Sequence, residues 1–263
     1  MEQKAGRELR TGLPLRECLM KKSSEIRAEA WKALGENGQY LRYVAAVLML
    51  GVITAALLIP LTAVLGVGIG ISGIAPFFAP GGRPEFALFL DPAVMVPLSV
   101  SALVFAVLVM YPVGFGMWGQ SAMAIASIRR GLTFGHALSG WGHGWKMGWI
   151  VMVKITYIHL WTLLLVVPGI VKFYSYAMTE FIAVDHPDWT AGQCITESRR
   201  LMDGHKLRYF CMLLSFTGWI VMLILAGMLP LVGSMVQWFF LPYIETAKAA
   251  FYEELLDLDA ARQ

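Results

Sequence analysis

Long apolar runs, separated by short polar segments, dominate this chain. The first extends from about Tyr43 to Gly66 and the second from about Val94 to Ala126. Residues 147 to 184 carry only Lys154, Lys172 and Glu180 as charges, and residues 209 to 244 carry none. A helix of 24 residues reaches about 36 Å, enough for a hydrocarbon core of about 30 Å, whereas 38 residues would make about 57 Å. Each of the two longest stretches must therefore fold back on itself. Pro168-Gly169 offers a break in one, and Gly227 with Pro230 in the other. The pattern predicts an all-α, polytopic membrane bundle of six transmembrane helices with Pro/Gly breaks, at about 43–66, 94–126, 147–167, 170–184, 207–228 and 231–252. The fourth is short enough to need tilt or local thinning, and one long kinked helix is the alternative over 147–184. Pro242, Glu245 and Lys248 interrupt the sixth.

The polar segments supply the rest of the organisation. Residues 1–42 read as a cytoplasmic amphipathic segment. Within them, ECLMKKSSEIRAEAWKAL at 17–34 places Ile26, Ala30 and Leu34 on one helical stripe among lysines and glutamates. That suits a helix lying on the inner membrane surface, or a simple solvated helix. Residues 67–93 form an external loop, GISGIAPFFAPGGRPE at 70–85 being too rich in Gly and Pro for regular helix. Phe77, Phe78, Phe86 and Phe89 are expected at its interface. The glycine-rich segment 131–146, with Trp141 and Trp145, suits the cytoplasmic headgroup region. Thr190 and Gln193 match a capping box at the start of an interfacial helix over 191–203 that Gly204 stops, and 256–263 is a cytoplasmic tail.

Composition sharpens this picture. The chain is 57% apolar and 15% charged, with mean hydropathy +0.62, which excludes a freely soluble globular protein. The first 42 residues hold nine Lys or Arg against six Glu, and the next 86 carry only Arg83, Glu85 and Asp91. The proposed inner segments carry nine, three and four cations, whereas the external loops carry Arg83 alone, so both termini are placed in the cytoplasm. With five crossings one basic cluster would have to face outward. The net charge of +3 comes from the first 42 residues, which reads as a topology signal and excludes nucleic acid as a partner. Cys18, Cys194 and Cys211 are too few and too scattered for a disulfide framework or a zinc site. No cleavable signal peptide is evident, so the first membrane helix is expected to act as an uncleaved anchor.

Several strings carry a family resemblance: LWTLLLVVPGI at 160–170, YSYAMTEFIAVDHP at 174–187, SRRLMDGHK at 198–206, LSFTGW at 214–219 and PYIETAKAAFYEEL at 242–255. In order and spacing they resemble the bacterial integral-membrane family catalogued as domain of unknown function nine-seventy-five, over roughly the C-terminal half. The resemblance implies a bacterial inner-membrane location and a helical architecture. It implies no activity, and it supplies no catalytic residues.

Charge inside a membrane is costly, so Lys154, Glu180, Glu245 and Lys248 should face the bundle interior or pair. On the hairpin reading Lys154 and Glu180 lie at similar depth and can form an ion pair. Glu245 and Lys248, at i and i+3, can satisfy each other. These four and His159 form a candidate intramembrane polar site, against the blander reading of structural pairing and, for His159, a hydrogen-bonded packing residue. Lys172 can snorkel to the interface. Trp189, Arg199, Arg200, Lys206 and Arg208 have the composition for holding anionic headgroups, although every inner loop carries cations for topology alone. His136 and His143 have no carboxylate at ligand spacing, so no metal is expected. Gly70-Ile71-Ser72-Gly73 matches the GxSG string of rhomboid-type intramembrane proteases, with His159 as an available base, but such strings arise easily in glycine-rich sequence. GVGIG at 66–70 lacks the strand and acidic residue of a nucleotide fingerprint, and no cofactor is expected. Gly66 and Gly70 could instead allow close helix packing.

The leading expectation is a non-enzymatic membrane scaffold or assembly partner contacting membrane lipids, with a protein partner or a second copy of the chain beside it. The alternative is a small transporter or channel using Lys154 and Glu180. Two successive hairpins, each with a Pro/Gly break and a later glutamate, hint at the internal repetition of such proteins. An intramembrane serine hydrolase at Ser72 is the remote third.

Overall fold

In the computed structural model of the protein, residues 23–35, 38–74, 92–129, 131–219, 221 and 230–261 are described. Among them the chain is all-helical. Ten α-helices follow one another: α1 (Ser23–Gly35), α2 (Gln39–Ile74), α3 (Pro92–Arg129), α4 (Phe134–Leu138), α5 (Gly144–Leu164), α6 (Val166–Ser175), α7 (Thr179–Asp185), α8 (Ala191–Leu201), α9 (Lys206–Leu214) and α10 (Pro230–Ala260). Three segments within them are long and apolar enough to cross a membrane: Gln39–Pro60, Leu103–Arg129 and Gly144–Leu164.

The long helices are buried along one half and exposed along the other. On α3, Phe115, Trp118 and the run from Ala122 to Ala126 are buried, while Leu103, Val104, Val107 and Leu108 are exposed. On α5, Met147 and Ile150 are buried, while Leu160, Leu163 and Leu164 are exposed. So much contiguous apolar surface would not be tolerated in water, but it is what lipid requires of a spanning helix. The chain is therefore a membrane protein, with its buried positions concentrated toward the end of the bundle where Arg129 and Gly144 lie.

Glycines set the closest approach, between α3 and α5. A Cβ on Gly114 would lie 2.0 Å from the Gly144 carbonyl oxygen, and one on Gly148 would lie 2.2 Å from the Met110 carbonyl oxygen. Backbones this near leave no room for a side chain. Gly66 and Gly70 lie in the later turns of α2, where the side-chain surroundings are outside the described residues.

Several boundaries differ from the sequence expectation. The first helix continues to Ile74, so residues 67–74 are helix rather than loop. The rest of that loop, with its four phenylalanines, lies outside the described residues. The hairpin after α5 turns at Leu165, in extended conformation (φ −161°, ψ 137°), three residues before the expected break. Pro168 sits in the first turn of α6, where its missing N–H is not needed. Gly169 lets the two legs close, since a Cβ there would meet the Thr162 hydroxyl at 2.2 Å.

The return leg is not the single helix expected over 170–184. It is α6 and α7, ten and seven residues long, divided by a turn at Tyr176–Met178. The helix expected over 207–228 is interrupted after Leu214 by a turn at 215–216, where Ser215 and Thr217 hydroxyls donate back to the Met212 and Leu214 carbonyls, and helix resumes at Thr217. Residues 222–229 are outside the described part. The last helix is continuous through Pro242, from Pro230 to Ala260.

Other expectations match. Thr190 and Gln193 form the capping box that starts α8, and Gly204 stops the segment with φ +78°. Ile26, Ala30 and Leu34 are the buried stripe of α1. That stripe packs on the protein rather than on lipid: α1 lies against α10 and α2, and Trp31 meets Tyr243 edge-on at 5.6 Å.

Candidate functional site

Four of the five candidate intramembrane residues converge. Lys154 lies midway along α5, about 15 Å from its start at 1.5 Å per residue. Its ammonium donates to Glu180 Oε1 on α7. Glu180 owes its place to the break in the return leg. There, the buried Ser198 hydroxyl of α8 accepts from the Met178 N–H (3.2 Å) and donates to the Ser175 carbonyl (2.9 Å). One side chain thus satisfies backbone groups that the turn removes from the helical ladder, and Glu180 begins the next helix facing α5.

On α10, Lys248 Nζ donates to Glu245 Oε1 at 2.8 Å. Both pairs line one cavity of about 350 Å³, closed by residues of α3, α5, α6, α7, α9 and α10. Gln120, Ser121 and Tyr209 add polar groups to its wall, and Met117, Ile158, Phe173, Phe181, Leu213 and Ile244 are the apolar part. The four charged side chains keep between 11% and 27% exposure, Glu180 being the most buried of them.

His159 does not join them. It is exposed on the lipid-facing half of α5 and bonds to the Ile155 carbonyl through Nδ1 at 2.9 Å. Its expected interior position is corrected, because α5 has left the packed half of the bundle by that turn. Lys172 stands over the Trp161 ring, 4.7 Å from its centroid. Ser72 lies in the last turn of α2, at the end of a helix rather than at its start.

The headgroup candidates divide. Arg208 is spent on Glu254 of α10, at 2.9 and 3.1 Å, with only 6% of the Glu254 side chain exposed. Arg200 is held by Asp259 and Glu197 through four bonds of 2.6 to 2.9 Å, which push its pKa above the ordinary arginine value. Arg199 is exposed and forms no ion pair among the described residues, and Lys206 lies 3.8 Å from Asp203. Trp189 is half-buried and stacks on His186, with ring centroids 4.1 Å apart.

A second cluster escaped the sequence reading. Arg129, at the end of α3, makes two bonds of 2.8 Å to Asp185 of α7 and one of 2.5 Å to Glu253 of α10, while the Tyr252 hydroxyl donates to Asp185 at 3.0 Å. With Arg200 and Arg208 it forms a clamp in which arginines from three helices grip the acidic end of α10. The available signal was the acidic run Glu253, Glu254, Asp257, Asp259, equal in size to the basic segment Arg199, Arg200, Lys206, Arg208 that precedes the last apolar stretch. Cys194 of α8 is buried, and burial pushes its thiol pKa up.

The model of a family described as protein of unknown function (DUF975) matches residues 94–259, well over half of the chain. The chain belongs to the DUF975 family. Every residue of the cavity and of the arginine clamp lies inside the DUF975 match, whereas α1 and α2 precede it. No curated protein and no solved structure matches the chain.

Proposed function

We propose that this bacterial inner-membrane protein, with both termini cytoplasmic, binds a small polar solute inside its bundle and moves it as a small transporter. The observation that carries this reading is the convergence of Lys154, Glu180, Glu245 and Lys248 on one cavity. Ion pairs retained only for packing gain nothing over apolar side chains of similar volume, so two of them around open space favour a ligand site. The volume lies within the range of small-molecule pockets.

The scaffold reading loses support on two counts. The apolar stripe of α1, expected against the inner membrane surface, is buried on the protein's own helices. Arg200 and Arg208, offered to lipid, are engaged by carboxylates of the chain itself.

The test is uptake by proteoliposomes incubated with a mixture of neutral, cationic, anionic and zwitterionic solutes, with the vesicle contents read by mass spectrometry. Accumulation of one class by the wild type, abolished in the folded double variant Glu245→Gln/Lys248→Met, supports transport. A folded wild type that accumulates none overturns it in favour of the scaffold.

A further inference from the structure

We infer that the cavity takes a small zwitterion with an apolar side group, of which an α-amino acid with an apolar side chain is the simplest example. The inference rests on the solute-binding reading above and names its substrate class. It starts from charge balance: the wall holds two ammonium groups and two carboxylates. The two pairs, Lys154 with Glu180 and Lys248 with Glu245, face the same open volume.

An added anion or cation would leave one uncompensated charge among apolar helices, where it is poorly tolerated. A zwitterion adds none. Its carboxylate can take a lysine and its ammonium a glutamate, so the partners exchange and every charge remains paired. Lysine suits this exchange, being a compact point charge with three rotatable donors on a flexible stem.

The rest of the wall selects the side group. Ile158, Phe173, Phe181, Leu213 and Ile244 offer no hydrogen-bonding side chain, so a polar group placed against them would lose its hydration without compensation. At about 350 Å³ the cavity is at the small end of ligand pockets, which fits one small molecule and excludes a peptide or a lipid.

Equilibrium binding of radiolabelled probes to the full-length protein in nanodiscs tests this. The probes are L-leucine and L-phenylalanine, with 3-methylbutylamine as the cationic, 4-methylpentanoate as the anionic and 4-methylpentanamide as the neutral analogue of leucine. Leucine or phenylalanine should bind at least tenfold more tightly than each analogue. The double variant Lys154→Met/Glu180→Gln, which removes both charges and leaves none unpaired, should lose that preference while keeping its unfolding midpoint. A singly charged or neutral analogue binding within threefold of leucine overturns the inference. Silence from every probe, while the proteoliposomes accumulate another solute, overturns the zwitterion and leaves transport standing. Silence in both experiments overturns both.

Discussion

The cavity and the arginine clamp lie roughly 10 Å apart along the same helices, and both are made of ion pairs, yet they are built for opposite purposes. In the clamp every cation is an arginine. Arg129 and Arg200 each reach two carboxylates, and the forks are filled at 2.5 to 2.9 Å. A planar guanidinium held this way loses its bonds together if it moves. In the cavity the cations are lysines, each with one carboxylate partner, facing open volume. The clamp fixes the ends of α3, α7, α8 and α9 on α10, and the cavity above it keeps charges that can change partners. Ion pairs thus give a structural joint in one place and a candidate binding site in the other. The difference lies in donor geometry and in what fills the space alongside.

The comparison breaks most severely at Arg208. Arg208→Ala leaves the buried Glu254 carboxylate without its guanidinium and should cost on the order of 3–5 kcal/mol, read as a fall in denaturation midpoint in detergent. Adding Glu254→Gln should recover part of the loss. Next come Lys154→Met and Glu180→Gln, each expected to cost about 3 kcal/mol alone by stranding one charge. Together they should be close to wild type in stability while the preference for a zwitterion disappears. If the double variant is as unstable as either single one, the cavity pair is a structural joint like the clamp.

Gly148→Ala pushes a methyl group into the Met110 carbonyl of α3 and should cost about 2 kcal/mol through overpacking, measured in the same assay. This seam sets the register on which both charge layers depend. The smallest effect belongs to Arg200→Lys, at about 1 kcal/mol or less, because half of that side chain is exposed and solvent screens its bonds. A large loss there would place the clamp's strength at its rim rather than at Arg208.

Much of this was legible in the chain. Apolar runs marked three long helices, the helical spacing of Ile26, Ala30 and Leu34 marked the buried stripe of α1, and Thr190 with Gln193 marked the start of α8. Depth arithmetic brought Lys154 and Glu180 to the same level. The hairpin turn was placed three residues late because Pro168 looked like an interruption, although proline is harmless in a first helical turn. The division of the return leg at Tyr176–Met178 was not expected at all, since it contains neither Pro nor Gly and depends on a hydroxyl 20 residues further along the chain. His159 looked interior because position along a helix does not tell where that helix leaves the packed part of its bundle.

By itself, then, the sequence determined what each segment could tolerate: which stretches belong in lipid, where helices begin, and which charges must find partners once desolvated. These follow from local periodicity and from the cost of burying polar groups, which depend on residue type. Only the tertiary structure decided which partner each charge took, that Arg200 and Arg208 would hold α10 rather than lipid, and that two ion pairs from three helices would enclose one cavity. Pairing is a matter of distance in space, and side chains 119 residues apart, such as Ser127 and Thr246 at 3.3 Å, meet because of how the helices stack rather than because of anything written near either one.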